Sequence, residues 1–189
     1  MAAVNIHKNI LMIVGSLRKQ SFNRQLAQEI ETILGDRANV TYLEYGDLPY
    51  MNQDIEFPAP ESVSRVRSAV QAADGIWICT PEYNYNIPGG LKNLLDWLSR
   101  PLEENNWELG SAVKGKYVTI SGVAGKSAAA GVRKSLKDLL EMMSMNVIAG
   151  EGTGVSFDAT AFQTGVLSIP VSAQTVLEEQ VEQFLSALS

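Results

Sequence analysis

The sequence predicts an α/β fold: a three-layer sandwich in which a five-stranded parallel sheet, strand order 2-1-3-4-5, lies between two layers of helices. Three observations carry this. Apolar runs of strand length alternate strictly with segments whose apolar residues recur at helical spacing. Such alternation implies parallel strands joined by right-handed crossovers, with helices on both faces. The strand-like runs number five, which suits that order. The chain has 189 residues with 46% hydrophobic and 19% charged content, enough for a sizeable core and a length that suits one domain over 1–189.

The elements follow in order. Asn9–Val14 reads as a buried strand, and Leu26, Ile30, Ile33 and Leu34 mark the first helix. Asn39–Leu43 reads as the second strand. A loop rich in Pro, Asp and Asn runs from Gly46 to Pro60. Val63, Val66, Val70 and Ala73 mark a helix, followed by a strand at Gly75–Cys79. Leu91, Leu94, Leu95 and Leu98 form a single helical stripe. Tyr117–Ser121 is the fourth strand, and Val132, Leu136, Leu139, Leu140 and Met143 mark the helix after it. Asn146–Ala149 is a short fifth strand. Thr175-Val176-Leu177-Glu178 resembles a capping box that would open the last helix.

Composition excludes several classes. A formal charge of −6 argues against a nucleic-acid binder that works by broad phosphate neutralisation. The single cysteine, Cys79, allows no internal disulfide. The apolar run Ile10–Val14 is too short to span a membrane, and it leads into Gly15-Ser16-Leu17-Arg18 rather than a run of small residues. A cytoplasmic protein without membrane or nucleic-acid partners is expected. Its one histidine, His7, lies before the first strand, and no histidine–carboxylate cluster has metal-ligand spacing, so no metal site is expected.

In open parallel sheets ligands bind beyond the carboxyl ends of the strands, at the point where strand order reverses. That directs attention to the loops after Val14, Cys79 and Ser121. The first, Gly15-Ser16-Leu17-Arg18-Lys19-Gln20-Ser21-Phe22-Asn23, offers hydroxyls, an amide, a guanidinium and the N–H groups of a helix start. A phosphate would gain from each. The plainer alternative is a turn with a helix cap at Ser21 or Asn23.

The second loop, Pro81-Glu82-Tyr83-Asn84-Tyr85-Asn86-Ile87-Pro88-Gly89-Gly90, is stiffened by two prolines and carries two tyrosines. It suits the rim of an aromatic heterocycle, or it is a surface turn with ordinary tyrosines. The third loop, Ser121 to Gly131, is built almost wholly of small residues. It permits close backbone approach to a ligand, or it is a flexible connection. Within it Gly122-Val123-Ala124-Gly125-Lys126-Ser127 narrowly misses a nucleotide-phosphate loop, because Ile120 stands where the first glycine is needed.

Two segments, GSLRKQSFN and TPEYNYNIPGGLKNLLDWLSR, resemble the NADPH-dependent FMN reductase family, with its quinone, azo-dye and chromate reductase members. The similarity covers most of Ile10 to Gly150. It implies a single flavodoxin-like domain that binds FMN at the three-loop edge. By this resemblance Ser16, Arg18, Ser21 and Asn23, with the N–H of Phe22, would hold the FMN phosphate. Pro81, Glu82, Tyr83 and Asn84 would line the ribityl chain and isoalloxazine, largely through backbone groups; the plain reading of Glu82, the one carboxylate in that loop, is that its backbone counts and its side chain does not. Ser121, Gly122 and Gly125 would border the other side of the ring.

The activity so implied is an FMN-dependent NAD(P)H oxidoreductase. A hydride would pass from NADPH or NADH to flavin N5 and then, by a ping-pong sequence, to a quinone, free flavin, azo compound or similar acceptor. The cofactor carries such chemistry, so no catalytic side chain is expected. The rival is a flavodoxin-type electron carrier without pyridine-nucleotide activity, against which Arg18 and Lys19 count. The resemblance also implies a homodimer or homotetramer. Trp97, beside the leucine stripe, would either face a partner or edge the core.

Overall fold

The computed structural model describes residues 7–189. The central strands are β1 (Lys8–Val14), β2 (Ala38–Tyr42), β3 (Gly75–Thr80) and β4 (Tyr117–Ala124), all parallel. With β5 (Asn146–Val147) the order is β2-β1-β3-β4-β5, as the alternating pattern predicts. β1, β3 and β4 are buried nearly end to end. Strands covered on both faces need apolar side chains pointing both ways, which is why β1 and β3 run almost continuously apolar, while the buried Thr119 and Ser121 of β4 are hydrogen-bonded.

The pleat divides these residues between two cores. Leu11, Ile13, Ile76, Ile78, Val118 and Ile120 face α2 (Glu61–Ala72), α3 (Gly89–Leu98) and α4 (Ala130–Met142). Ile10, Met12, Val14, Trp77, Cys79 and Val123 face α1 (Phe22–Leu34) and α6 (Val171–Ala187).

Several details depart from the sequence expectation. β4 continues to Ala124, three residues beyond the expected end at Ser121. Its extension pairs with β6 (Thr153–Ser156), a strand the sequence reading omits. β5 and β6 are two parts of one interrupted edge: Val118 pairs with Val147 and Ser121 with Thr153, so three steps on β4 match six on its neighbour. The surplus loops out around Gly150 and Gly152, both at positive φ. The expected strand end at Ile148–Ala149 therefore lies in this loop.

The last helix begins at Val171 behind Pro170, not at Thr175. The Thr175 hydroxyl donates to the Val171 carbonyl at 3.2 Å, one turn back inside the helix, so there is no capping box. Pro170 sets the start because its fixed φ suits a helix entry. A short α5 (Ala159–Thr164) lies between β6 and α6, capped by the Asp158 carboxylate.

Trp97 is fully buried and does not face a partner. Its indole N–H donates to the Pro49 carbonyl at 2.8 Å, beside the Asn93 amide, which donates to the same oxygen at 2.9 Å. α3 thereby clasps the long loop after β2. A buried indole N–H needs an acceptor, and this loop provides one.

Candidate functional site

β1, β3 and β4 end side by side, so the three loops after them converge on one edge. There the structure holds a cleft of about 520 Å³ lined by Ser16, Arg18, Ser21, Phe22, Asn23, Pro81 and Tyr83 together with Val123, Phe157, Phe162 and Gly165. The first seven are residues expected from the sequence. The last four come from the extended end of β4 and from the β6–α5 region. Phe157 and Phe162 stack at 6.3 Å, and Phe157 packs on Phe22 at 5.0 Å, so the three rings form an aromatic wall. Their signal in the sequence is faint: two phenylalanines in an otherwise small and polar stretch.

The first loop divides its labour. Ser21 is the N-cap of α1, and its hydroxyl accepts from the Arg24 N–H at 3.0 Å. This is the plainer role foreseen for it, and it leaves the N–H groups of Phe22 and Asn23 at the open helix start. The Arg18 guanidinium lies 5.6 Å from the Phe22 ring centroid. Ser16 is buried, with its hydroxyl 3.4 Å from the Tyr83 hydroxyl, which ties the first loop to the second.

The Asn23 side chain is not free for a ligand. Its amide donates to the Val123 carbonyl at 3.1 Å and its oxygen accepts from the Val123 N–H at 2.8 Å. It completes the backbone pairing of β4 from the side of α1. A 2% exposed amide with two such bonds is a structural tether.

The second loop folds back on itself. Tyr83 and Asn86 exchange backbone hydrogen bonds of 3.1 and 3.0 Å, with Asn84 and Tyr85 at φ 51° and 62° between them. This is a two-residue turn with both central residues left-handed, which asparagine tolerates better than tyrosine. Tyr85 is 87% exposed as a result. Glu82 and Asn84 lie outside the cleft lining. The Glu82 side chain, expected to be idle, is fully engaged. Its carboxylate accepts from the Ser127 hydroxyl at 2.9 Å and from the Val132 N–H at 2.8 Å.

The third loop begins later than expected because β4 is longer. Ser121 is fully buried within the strand, where its hydroxyl accepts from the Trp77 indole at 3.1 Å and contacts Gln180 Oε1 at 3.2 Å. It belongs to a polar knot in which Gln180 also serves Thr119, Ile120 and Thr153. Gly122 is likewise a strand residue, and a Cβ there would stand 2.7 Å from the Thr80 carbonyl oxygen. Neither reaches the cleft; of the third loop as expected, only Val123 lines it. Gly125 opens the true loop, which turns through Ala128 and Ala129 at φ 46° and 60° into α4. Each such alanine costs about 1 kcal/mol.

The electrostatics leave little for acid–base work. Burial pushes the Cys79 thiol well above its ordinary range, and its sulfur faces that of Met12 at 3.9 Å. It is packing, not a nucleophile. Tyr45 donates to the Val14 carbonyl at 2.7 Å, and burial raises its hydroxyl too, with Tyr83 adding to the effect. No group of His, Cys, Asp and Glu among the described residues could hold a metal ion. No helix among them is long and apolar enough to cross a membrane. The cleft can bind and orient a ligand that brings its own reactivity.

A parallel sheet of this order, with an anion-ready helix start and a stiff tyrosine-bearing loop at its reversal point, defines a flavodoxin-like nucleotide-binding protein. The sequence profile described as NADPH-dependent FMN reductase matches residues 8–159. A quinone reductase from Pseudomonas putida is 37% identical over 129 residues, covering 68% of this chain and 69% of that protein. An NAD(P)H-dependent FMN reductase from Pseudomonas aeruginosa is 29% identical over 175 residues, covering 92% and 91%. The solved structure of FerB, a flavoenzyme NAD(P)H:(acceptor) oxidoreductase from Paracoccus denitrificans, superposes with a TM-score of 0.82 at 29% identity, covering 96% of this chain and 97% of that one. The chain belongs to the NADPH-dependent FMN reductase family: it is an enzyme that uses FMN and NAD(P)H.

Proposed function

We propose that this chain reduces quinones by a ping-pong sequence, with FMN seated in the cleft at the sheet edge and one face open to each substrate in turn. The observation that carries the reading is the cleft's donor set. A helix start with open N–H groups, the Ser16 hydroxyl and the Arg18 cation line the cleft. Pro81 and the half-exposed Tyr83 line it beside them, the Tyr83 hydroxyl 3.4 Å from that of Ser16. That pairing suits a phosphate joined to a flat heterocycle. Relatives named quinone reductase in Pseudomonas putida and 2-hydroxy-1,4-benzoquinone reductase in Burkholderia favour a quinone acceptor over free flavin or azo compounds.

In this reading FMN supplies the two-electron chemistry when bound. The protein's residues position it. Arg18, Ser16 and the N–H groups of Phe22 and Asn23 hold the phosphate. Ser21 acts as the cap that leaves those N–H groups free, and Asn23 as the tether that fixes α1 to β4. The backbone of Pro81 to Asn84, made rigid by the turn, borders the ring, and Gly125 permits approach from the third loop. No side chain of the cleft is needed as a proton donor, since the proton that completes the hydroquinone after hydride transfer can come from solvent at the open face. The whole of 1–189 acts as one FMN-binding domain, and with its single buried thiol it suits a reducing cytoplasm. The protein works as a homodimer or homotetramer.

Anaerobic mixing of the FMN-loaded protein with NADPH or NADH should bleach the flavin absorbance within seconds, and added benzoquinone should restore it. Initial rates with both substrates varied should give parallel reciprocal plots. Bleaching by neither nucleotide would end the reductase reading, and intersecting plots would end the ping-pong one.

A further inference from the structure

We propose that Glu82 is a positioning residue whose carboxylate latches the second loop to the start of α4 and thereby sets the third loop. Glu82 lies on the Pro81–Asn86 turn, 45 positions from Ser127 and 50 from Val132. One oxygen accepts from the Ser127 hydroxyl and the other from the Val132 N–H. The bonded N–H belongs to the first turn of α4, which no residue of α4's own N-cap satisfies. That N-cap is Ala129, which has no side chain to do so. The cap comes from another loop.

The surroundings are shaped to this contact. A Cβ at Gly131 would stand 2.8 Å from the bonded carboxylate oxygen, so a side chain there would push the carboxylate out of its place, while the Tyr85 carbonyl at 3.8 Å is in ordinary contact. Ile87 packs beside the latch on Ala124, Ala129 and Val132. The two left-handed alanines need an external hold, since their own conformation is unfavourable. The charge of the carboxylate complements the positive end of the helix.

The latch also gives a physical reason why Gly125-Lys126-Ser127 is not a phosphate loop. The helix start that would receive the anion already holds one from within the chain. The third loop and the second therefore move as one body, and an FMN ring lying between them would meet a preset gap. That last consequence rests on the proposed FMN site; the latch itself does not.

The test uses Glu82→Ala, Glu82→Gln and Ser127→Ala in the full chain. Amide exchange over 125–133 is followed without flavin, with and without added formate, and FMN affinity is measured by fluorescence quenching. In Glu82→Ala the Val132 amide should exchange about tenfold faster and the FMN Kd should rise about tenfold. Formate should restore both in part by occupying the vacated position. Glu82→Gln can still accept from Val132 and donate to Ser127, so it should leave both values close to those of the unaltered chain, whereas Ser127→Ala should loosen the loop by about threefold. Unchanged exchange in Glu82→Ala overturns the latch, as does a glutamine variant as loose as the alanine one. Should Glu82→Ala fail to fold, the contrast between Glu82→Gln and Ser127→Ala decides, and equal exchange in those two overturns it. Faster exchange with no FMN binding by any form would uphold the latch and discard the FMN site.

Discussion

Arg18 and Asn23 share one loop and answer to different demands. Arg18 projects into the cleft, where its guanidinium lies over Phe22 and can meet an anion. Asn23 faces inward and is spent on both backbone groups of Val123. Arg18→Ala should therefore raise the FMN Kd at least about tenfold and leave the melting temperature nearly unchanged, since an exposed charge-assisted bond to phosphate is lost and nothing buried is stranded. Asn23→Ala should lower unfolding free energy by about 2 kcal/mol in urea titrations, because two buried backbone groups lose their partner. Equal effects of the two variants on stability would contradict this division. The sequence alone makes both residues look alike as polar loop donors. What separates them is which one the helix turns inward, and that depends on the position of α1 over β4.

At the scale of elements, the interrupted fifth strand shapes the cleft. β6 prolongs the pairing of β4 past Ser121, carries Phe157 into place and leads to α5 with Phe162. The interruption survives because Gln180 of α6 supplies the hydrogen bonds that the looped-out edge cannot. It donates to the Ile120 carbonyl and the Thr119 hydroxyl and accepts from the Thr153 N–H and hydroxyl. Gly152 and Gly150 both have positive φ, but a Cβ at Gly152 would lie 1.7 Å from the Ile120 carbonyl oxygen, whereas one at Gly150 meets nothing within 4 Å. Gly150→Ala should cost about 1 kcal/mol and Gly152→Ala about 3 kcal/mol or more in urea unfolding. Similar costs would show that the edge yields more easily than its geometry suggests. The four-residue β6 carries too little periodicity to be separated from loop by pattern alone, which is why the sequence reading finds the start of the fifth strand at Asn146 but not its interruption or β6.

At the scale of the whole molecule, exposed apolar side chains gather on the first two loops of the site. Tyr85 is 87% exposed, with Leu17 at 61% and Tyr83 at 50%. Exposed tyrosines at a ligand site suit an interface that a second copy of the chain completes. Light scattering at micromolar concentration should return a mass of two or four chains; a mass of one chain, 20.6 kDa, would refute the assembly. Trp97, for which the sequence leaves both a partner-facing and a core role open, has no part in this, because it is buried with its indole committed to Pro49.

The sequence by itself determined the layers, the strand order and the edge at which the loops converge. Those follow from periodicity, and burial on two faces leaves a continuous apolar run that is hard to mistake. It also picked out seven of the residues that line the cleft, because a loop that must offer donors carries them in its composition. Tertiary structure decided what each of those side chains does. Whether Asn23 points to ligand or strand, whether Ser121 ends a strand or lies within it, and whether Glu82 is idle or a latch all depend on distances between segments far apart in the chain. Hydrogen-bond partners fifty or a hundred residues away leave no local pattern to read.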